Sequence, residues 1–423
     1  MIDLLVKNAR IHGRDKLQTI ACQDGKILDI APAIDADAVE TIDAKSYFVT
    51  PPFVDSHLHL DAVLSMGQPR LNQSGTLLEG IQLWDELKPL LTPEAVKERA
   101  LQFLNWSIAK GNLVIRSHVD TTDPSLMAVD VLLEVKEEMK EFIDLQLVAF
   151  PQDGILRSPN GVELLNRALD KGLDAVGGIP HFERTMADGT ESVRILCEIA
   201  AERGLLVDMH CDETDDPMSR HIETLACETQ RLGLQGRVSG SHLTSMHSMD
   251  NYYVSKLMPL MAEAEINCVC NTLINILIQG RHDTYPKRRG LMRVPELMAA
   301  GINVSLGHDC VMDPWYSMGT HDMLEVSHMG IHALHMTGLE EMDALFDAVT
   351  VNAAKTLHVD GYGLDKGCNA DMVILQAESK REAIRLRSNR LFVIRRGKVI
   401  STMPENTACV NIGKGDTRVD FCR

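Results

Sequence analysis

The chain has 423 residues, 45% of them hydrophobic and 24% charged, enough apolar material for one large core or two moderate ones. Its 42 basic and 60 acidic side chains leave a net charge of −18, a field that repels polyanions and excludes nucleic acid as the expected partner. No apolar run approaches the ~20 residues of a membrane helix, and Met1 to Lys7 lacks the charged start and long apolar stretch of a signal peptide. A cytoplasmic protein with no membrane partner is expected.

In chain order, Leu4 to Ile11 and Thr19 to Ile30, the second folded at Asp24-Gly25-Lys26, read as hairpin strands. Phe53 to Leu60 reads as a buried strand, followed by a Gly-, Asn- and Gln-rich loop from Leu64 to Gly80. From residue 113 onward, β-rich runs recur: Leu113 to Asp120, Ile143 to Pro151, Ala175 to Phe182, Leu205 to Glu213, Arg237 to Thr244, Ile266 to Leu273 and Ile302 to Asp309. Their starts lie 30, 32, 30, 32, 29 and 36 residues apart, and each run leads into a stretch with helical periodicity. That repeat suits a strand plus a covering helix, and the apolar strands suit a parallel sheet buried on both faces.

With Phe53 to Leu60 counted first, eight βα units predict an α/β fold, a closed TIM-type (β/α)8 barrel. A doubly wound open sheet is the alternative, but no GxGxxG follows the first strand. Asp371 to Leu375 and Leu391 to Ile400, turning at Arg396-Gly397-Lys398, read as strands that pair with the N-terminal ones. The expected organisation is a small β-sandwich from residues 1–49 plus 360–423 and a barrel over 50–359.

Barrel active sites lie at the carboxyl ends of the strands. Strand one ends in His57-Leu58-His59, whose two imidazoles share the inward face; strand five ends in His210-Cys211-Asp212-Glu213, strand six in His242 and strand eight in Asp309. A lone HxH is weak, because 16 histidines in 423 residues give about 0.6 such pairs by chance. The weight lies in position, since every one of these residues ends a strand chosen by spacing alone.

Three neutral imidazoles and a carboxylate suit a borderline divalent cation, zinc or ferrous iron, with room for a water whose pKa falls toward ~7. Glu213, three residues past His210, reads as a proton shuttle, and His242 as a fourth ligand or a cation that orients hydroxide. His118 and His181, ending strands two and four, stay open as ligands. His12, His321, His328, His332, His335 and His358 read as structural, in helical or surface segments. The 21 methionines, with Cys268 and Cys270, read as core filling, and the ten cysteines from Cys22 to Cys422, with no CxxC pair, as reduced thiols.

The order and types of these residues resemble the amidohydrolase superfamily, in which a barrel carries an HxH after strand one, histidines after strands five and six, and an aspartate after strand eight. Strand four, Ala175 to His181, lacks the lysine that bridges two metals in binuclear members, which implies a one-metal site. More closely, the chain is similar to the bacterial cytosine deaminase branch over nearly its full length. The resembling blocks are Pro51 to Val54, Gly67-Gln68-Pro69, Asn72 to Leu77, Val148 to Gln152, the HCDE block, Asp283 to Gly290 and Asp313 to Tyr316.

That resemblance implies that His57, His59, His210 and Asp309 bind one Fe2+ or Zn2+, that Glu213 moves the proton from water to a ring nitrogen, and that His242 steers the hydroxide. It implies that Gln152 pairs with the amide edge of a pyrimidine, that Leu77 and Trp315 line the pocket with Phe150 close by, and that the chain forms a homo-oligomer, trimer or hexamer. Where the branch has two successive aspartates after strand eight, this chain has Asp309-Cys310, and the second position faces the substrate near C5.

The expected activity is hydrolytic deamination of a free nucleobase, cytosine and 5-methylcytosine. Isoguanine or an amino-triazine is the alternative substrate. The rival activities are ring-amide hydrolysis, opposed by the missing strand-four lysine, and a metal-holding structural protein, opposed by the retention of every ligand and of Glu213.

Overall fold

In the computed structural model, residues 2–413 and 415–421 are described; Met1 and Cys422 lie outside the described residues. Eight strands, Phe53–Leu58, Asn112–Asp120, Asp144–Phe150, Ala175–Gly178, Leu206–Cys211, Val238–His242, Asn267–Cys270 and Val304–Leu306, stand side by side in sequential order, each parallel to the next. Helices fill the intervals, and the sheet curls until Leu58 of strand one bridges Asp309 beyond strand eight. This is the TIM-type barrel that the spacing predicts.

The double-length interval after strand one holds two helices, Leu77–Leu87 and Pro93–Ala109. Thr76 caps the first by accepting the Glu79 N–H, so the expected loop stops at Thr76 and Leu77 opens a helix. Several strands end earlier than expected: strand four stops at Gly178 because Pro180 starts a 3-10 turn, and strand eight covers only Val304–Leu306. Beneath the carboxyl ends the barrel interior is polar. Arg116, fully buried, donates to Asp208 at 2.8 Å and to Ser239 at 3.2 Å, and Ser241 donates to Asp208 at 2.6 Å.

Two four-stranded sheets face each other outside the barrel. One contains Ile2–Ala9, Gln18–Gln23, Lys26–Ala31 and Ala38–Asp43; the other joins Phe48–Thr50 to the C-terminal strands Met372–Leu375, Arg390–Arg395 and Lys398–Thr402. Leu4, Val6 and Ile20 of the first share a core with Val49, Met372, Ile374 and Ile394 of the second. Among the described residues no helix is long and apolar enough to cross a membrane, and the described cysteines are free thiols.

One buried ion pair ties the C-terminal sheet to the barrel. Arg390, 2% exposed, reaches both carboxylate oxygens of Asp322, the cap of helix Met323–Ala333, and donates through Nε to the Lys110 carbonyl at 2.9 Å. Burial works against ionised Asp322, but Arg390 and Lys110 hold its carboxyl down at about 2. Removing one partner of such a pair typically costs ~3–5 kcal/mol. Because Lys110 remains at 3.2 Å, Arg390→Met is expected at the lower end of that range, read as a depressed thermal midpoint. Arg390→Met with Asp322→Asn, which removes the unpaired charge but keeps the cap on Leu324 N–H, is expected to recover part of the loss; an undiminished deficit in the double variant would contradict a burial-driven clamp.

Candidate active site

Strands one, five and eight bring four donor atoms together. The Nε2 of His210 lies 3.1 Å from that of His57 and 3.0 Å from that of His59, while Asp309 Oδ1 lies 3.7 Å and 3.4 Å from the same atoms of His57 and His59. A tetrahedral ion with bonds of ~2.0–2.1 Å has edges of about 3.3 Å, and these four separations bracket that value. Burial, together with the neighbouring histidines, pushes His57, His59 and His210 well below the ordinary imidazole range, which leaves them neutral with lone pairs to give. Burial pushes the Asp309 carboxyl up to about 8; His242 opposes the rise, and the Glu213 and Asp313 carboxyls add to it. The donor set therefore fits a divalent ion.

The set is buttressed from behind. Phe150, expected beside the substrate, is fully buried and stacks on His210 with centroids 4.1 Å apart and planes 17° apart. It touches the donor set and does not line the cavity, because it stands one layer deeper than Gln152 on the same inward face. His118 is drawn in as well, its ring 4.1 Å from that of His57 and its Nε2 3.7 Å from Asp208, and its nitrogens could join a group with His57 and His59. His181 falls outside every such group among the described residues, and burial pushes it down to about 4.

Glu213 and His242 form a pair, His242 Nδ1 to Glu213 Oε1 at 3.0 Å, and His242 Nε2 lies 3.8 Å from Asp309 Oδ2. Two buried asparagines hold the imidazole: Asn275 Nδ2 sits 2.9 Å from His242 Nδ1 and 3.4 Å from Glu213 Oε1, and Asn271 Nδ2 lies 3.3 Å from His242 Nε2. Sequence reasoning missed both, although Asn271 directly follows strand seven and the strand-end rule, extended to that strand, points to it. His242 and Asp309 adopt left-handed backbone, φ 71° and 68°, a strain common at functional sites.

All of this opens on a pocket lined by His59, Leu77, Gln152, Ile179, His210, Glu213, His242, Ile274, Ile278, Asp309, Cys310 and Trp315. Cys310 sits at the wall with its Sγ 3.5 Å from Asp309 Oδ1; burial, with Asp309 and Asp313 alongside, pushes its thiol well above the usual range, so it is neutral. Asp313 accepts the backbone N–H groups of Trp315 and Tyr316, both at 2.9 Å, and so fixes the turn that carries Trp315. The indole lies against Gly80 of helix Leu77–Leu87.

The amidohydrolase family model matches residues 40–403, and the chain belongs to that family. The crystal structure of 5-methylcytosine deaminase from Klebsiella pneumoniae, liganded with 5-fluorocytosine, superposes with a TM-score of 0.93 at 44% identity, covering 95% of this chain and 98% of that one. Pterin deaminase of Rhizobium rhizogenes is 30% identical over 387 residues, 90% of this chain and 87% of its own length. N-isopropylammelide isopropyl amidohydrolase of Pseudomonas sp. (strain ADP) is 27% identical over 409 residues, 94% and 97% of the two chains. The chain is thus an enzyme of the amidohydrolase superfamily, a deaminase or hydrolase, and the resemblance to the cytosine deaminase branch holds.

A Cβ at Gly80 would sit 2.1 Å from the Trp315 ring. Gly80→Ala is therefore expected to displace the indole from the cavity wall, shift the tryptophan emission and cost ~1–3 kcal/mol of stability through overpacking. Unchanged emission with lowered stability would show that the helix, not the indole, gives way.

Proposed function

We propose that this enzyme hydrolyses the exocyclic amine of a free amino-pyrimidine, converting cytosine to uracil and 5-methylcytosine to thymine with release of ammonia. The observation that carries the proposal is the convergence, around one pocket, of the donor set, the Glu213–His242 pair, the Gln152 amide and a neutral thiol at Cys310. The 44% identity to a 5-methylcytosine deaminase supports it. One Fe2+ or Zn2+ held by His57, His59, His210 and Asp309 would lower the pKa of a water toward ~7.

The remaining chemistry belongs to the chain. Glu213 accepts a proton from the attacking water and delivers it to the ring nitrogen beside C4, while His242, at 3.0 Å, orients that carboxylate. The water oxygen bonds to C4, the C4–N bond breaks, and the amine leaves as ammonia with the second proton. Gln152 pairs with the amide edge of the ring, Leu77 and Trp315 flank its faces, and Cys310 borders C5.

Strand four offers the cavity Ile179 and no lysine, which weighs against ring-amide hydrolysis by a two-metal site. The proposal extends to a homo-oligomer, trimer or hexamer, acting in the cytoplasm, with residues 50–359 as the catalytic unit and 1–49 plus 360–423 as the sandwich.

Glu213→Gln is expected to keep fold and metal while losing ~10²- to 10⁴-fold in kcat, because general acid–base catalysis is worth about that much. A loss below about tenfold would move the proton shuttle to another residue. At Cys310 a carboxylate would fill space and set charge against a 5-methyl group, whereas a neutral thiol leaves room for it, worth about 0.8 kcal/mol on burial. The natural enzyme is expected to favour 5-methylcytosine at least equally, and Cys310→Asp to lower the ratio of kcat/KM for 5-methylcytosine over cytosine by about 10- to 200-fold. An unchanged ratio would remove Cys310 as the specificity switch. Isoguanine, an amino-triazine and a pterin, assayed alongside, distinguish the alternative substrates: ammonia release from one of these and none from either cytosine would overturn the pyrimidine reading.

A further inference from the structure

Gln152 reaches the cavity from the loop after strand three, and a side chain from the loop after strand four holds that loop in place. The turn closes through the Gly154 N–H, which donates to the Pro151 carbonyl at 2.9 Å. The next three backbone N–H groups then point at a single carboxylate: Ile155 and Leu156 donate to Glu183 Oε1 at 2.7 and 3.1 Å, and Arg157 donates to Oε2 at 3.0 Å. Three successive N–H groups in a concave turn form an anion nest, and here the chain fills it with its own carboxylate.

Glu183 is 8% exposed and follows the 3-10 turn Pro180–Phe182, so the nest locks the two loops together. Gly154 permits the approach: its φ is +85°, and a Cβ there would lie 2.9 Å from Glu183 Oε2. Arg157 grips the same turn from outside, donating to the Phe182 carbonyl at 3.1 Å and lying 4.2 Å over the Phe182 ring.

We propose that Glu183 is a positioning residue for substrate binding, holding the 151–157 loop so that the Gln152 amide meets the ring of the bound base. The inference rests on the role proposed above for Gln152. A residue that acts only through Gln152 loses its effect once Gln152 is gone, whereas a general structural role persists, and a double-variant cycle separates the two.

For 5-methylcytosine, Glu183→Ala is expected to raise KM by about tenfold or more while kcat falls less than about threefold, and in the Gln152→Ala background to add less than about twofold. Glu183→Gln, which keeps an acceptor for two of the three N–H groups, is expected to fall between and carries the cycle if the alanine variant does not fold. Multiplicative effects, or a fall in kcat alone, would overturn the inference while leaving the Gln152 role intact; a Gln152→Ala variant with unchanged KM would overturn that role and the inference with it. Hydrogen exchange on the ligand-free enzyme supplies a readout independent of activity. The amides of 155–157 are expected to be protected in the natural protein and to exchange at least tenfold faster in Glu183→Ala, and that of Arg157 alone to do so in Glu183→Gln, with the barrel strands unaffected. Unaltered exchange would contradict a loop held by this carboxylate.

Discussion

The site depends on how the first and eighth barrel strands meet. Elsewhere in the barrel, neighbouring strands pair through backbone ladders, but this seam is closed by two backbone hydrogen bonds, Asp309 N–H to His57 O at 2.7 Å and His59 N–H to Asp309 O at 3.3 Å. The Asp55 carboxylate reinforces it, accepting the N–H groups of His57 at 3.1 Å and His308 at 3.0 Å, with its other oxygen 2.8 Å from His321 Nε2. His321 is anchored in turn by Ser107 at 2.7 Å. The seam therefore fixes, through main chain, the distance between the HxH pair and the strand-eight carboxylate, and it does so at the cost of left-handed backbone at Asp309.

Electrostatics follow from that closure. Packing three imidazoles and a carboxylate into a dry barrel end leaves the rings neutral and the carboxylate reluctant to ionise. The Asp309 carboxylate, with Glu213 and Asp313 also nearby, is expensive to ionise there, and a cation would offset the expense while turning the same four groups into a ligand shell. The Arg116–Asp208 pair beneath them keeps the interior charged but internally matched.

Much of this was legible in the sequence because a strand and its covering helix occupy a nearly constant length, so spacing alone located seven strands and the strand ends located His57, His59, His210 and Asp309. Other features obey physics that spacing does not encode. In the ladder His242 stands opposite Cys211 and Ser241 opposite His210, so simple alternation sends His242 outward; its left-handed φ turns it into the site. Phe150 and Gln152 share an inward parity, yet only the outer of the two reaches the cavity. His321 reads in sequence as a structural residue of a helical or surface segment; it is structural but fully buried in the loop before helix Met323–Ala333, which folds back onto Asp55. Arg116 and Asp208 sit mid-strand in mostly apolar runs; spacing does not show that the two meet, and each is tolerable only because the other is there.

The central claim is that four groups from three strands form one cation site on which hydrolytic deamination depends. Its most direct test is to strip the enzyme with a chelator and titrate it with Zn2+ or Fe2+ while following ammonia release from 5-methylcytosine. The account predicts an inactive apo-enzyme whose activity rises in proportion to added metal and stops rising at one equivalent per chain. Full activity in the stripped protein, or a rise that continues to two tightly held ions, would contradict it.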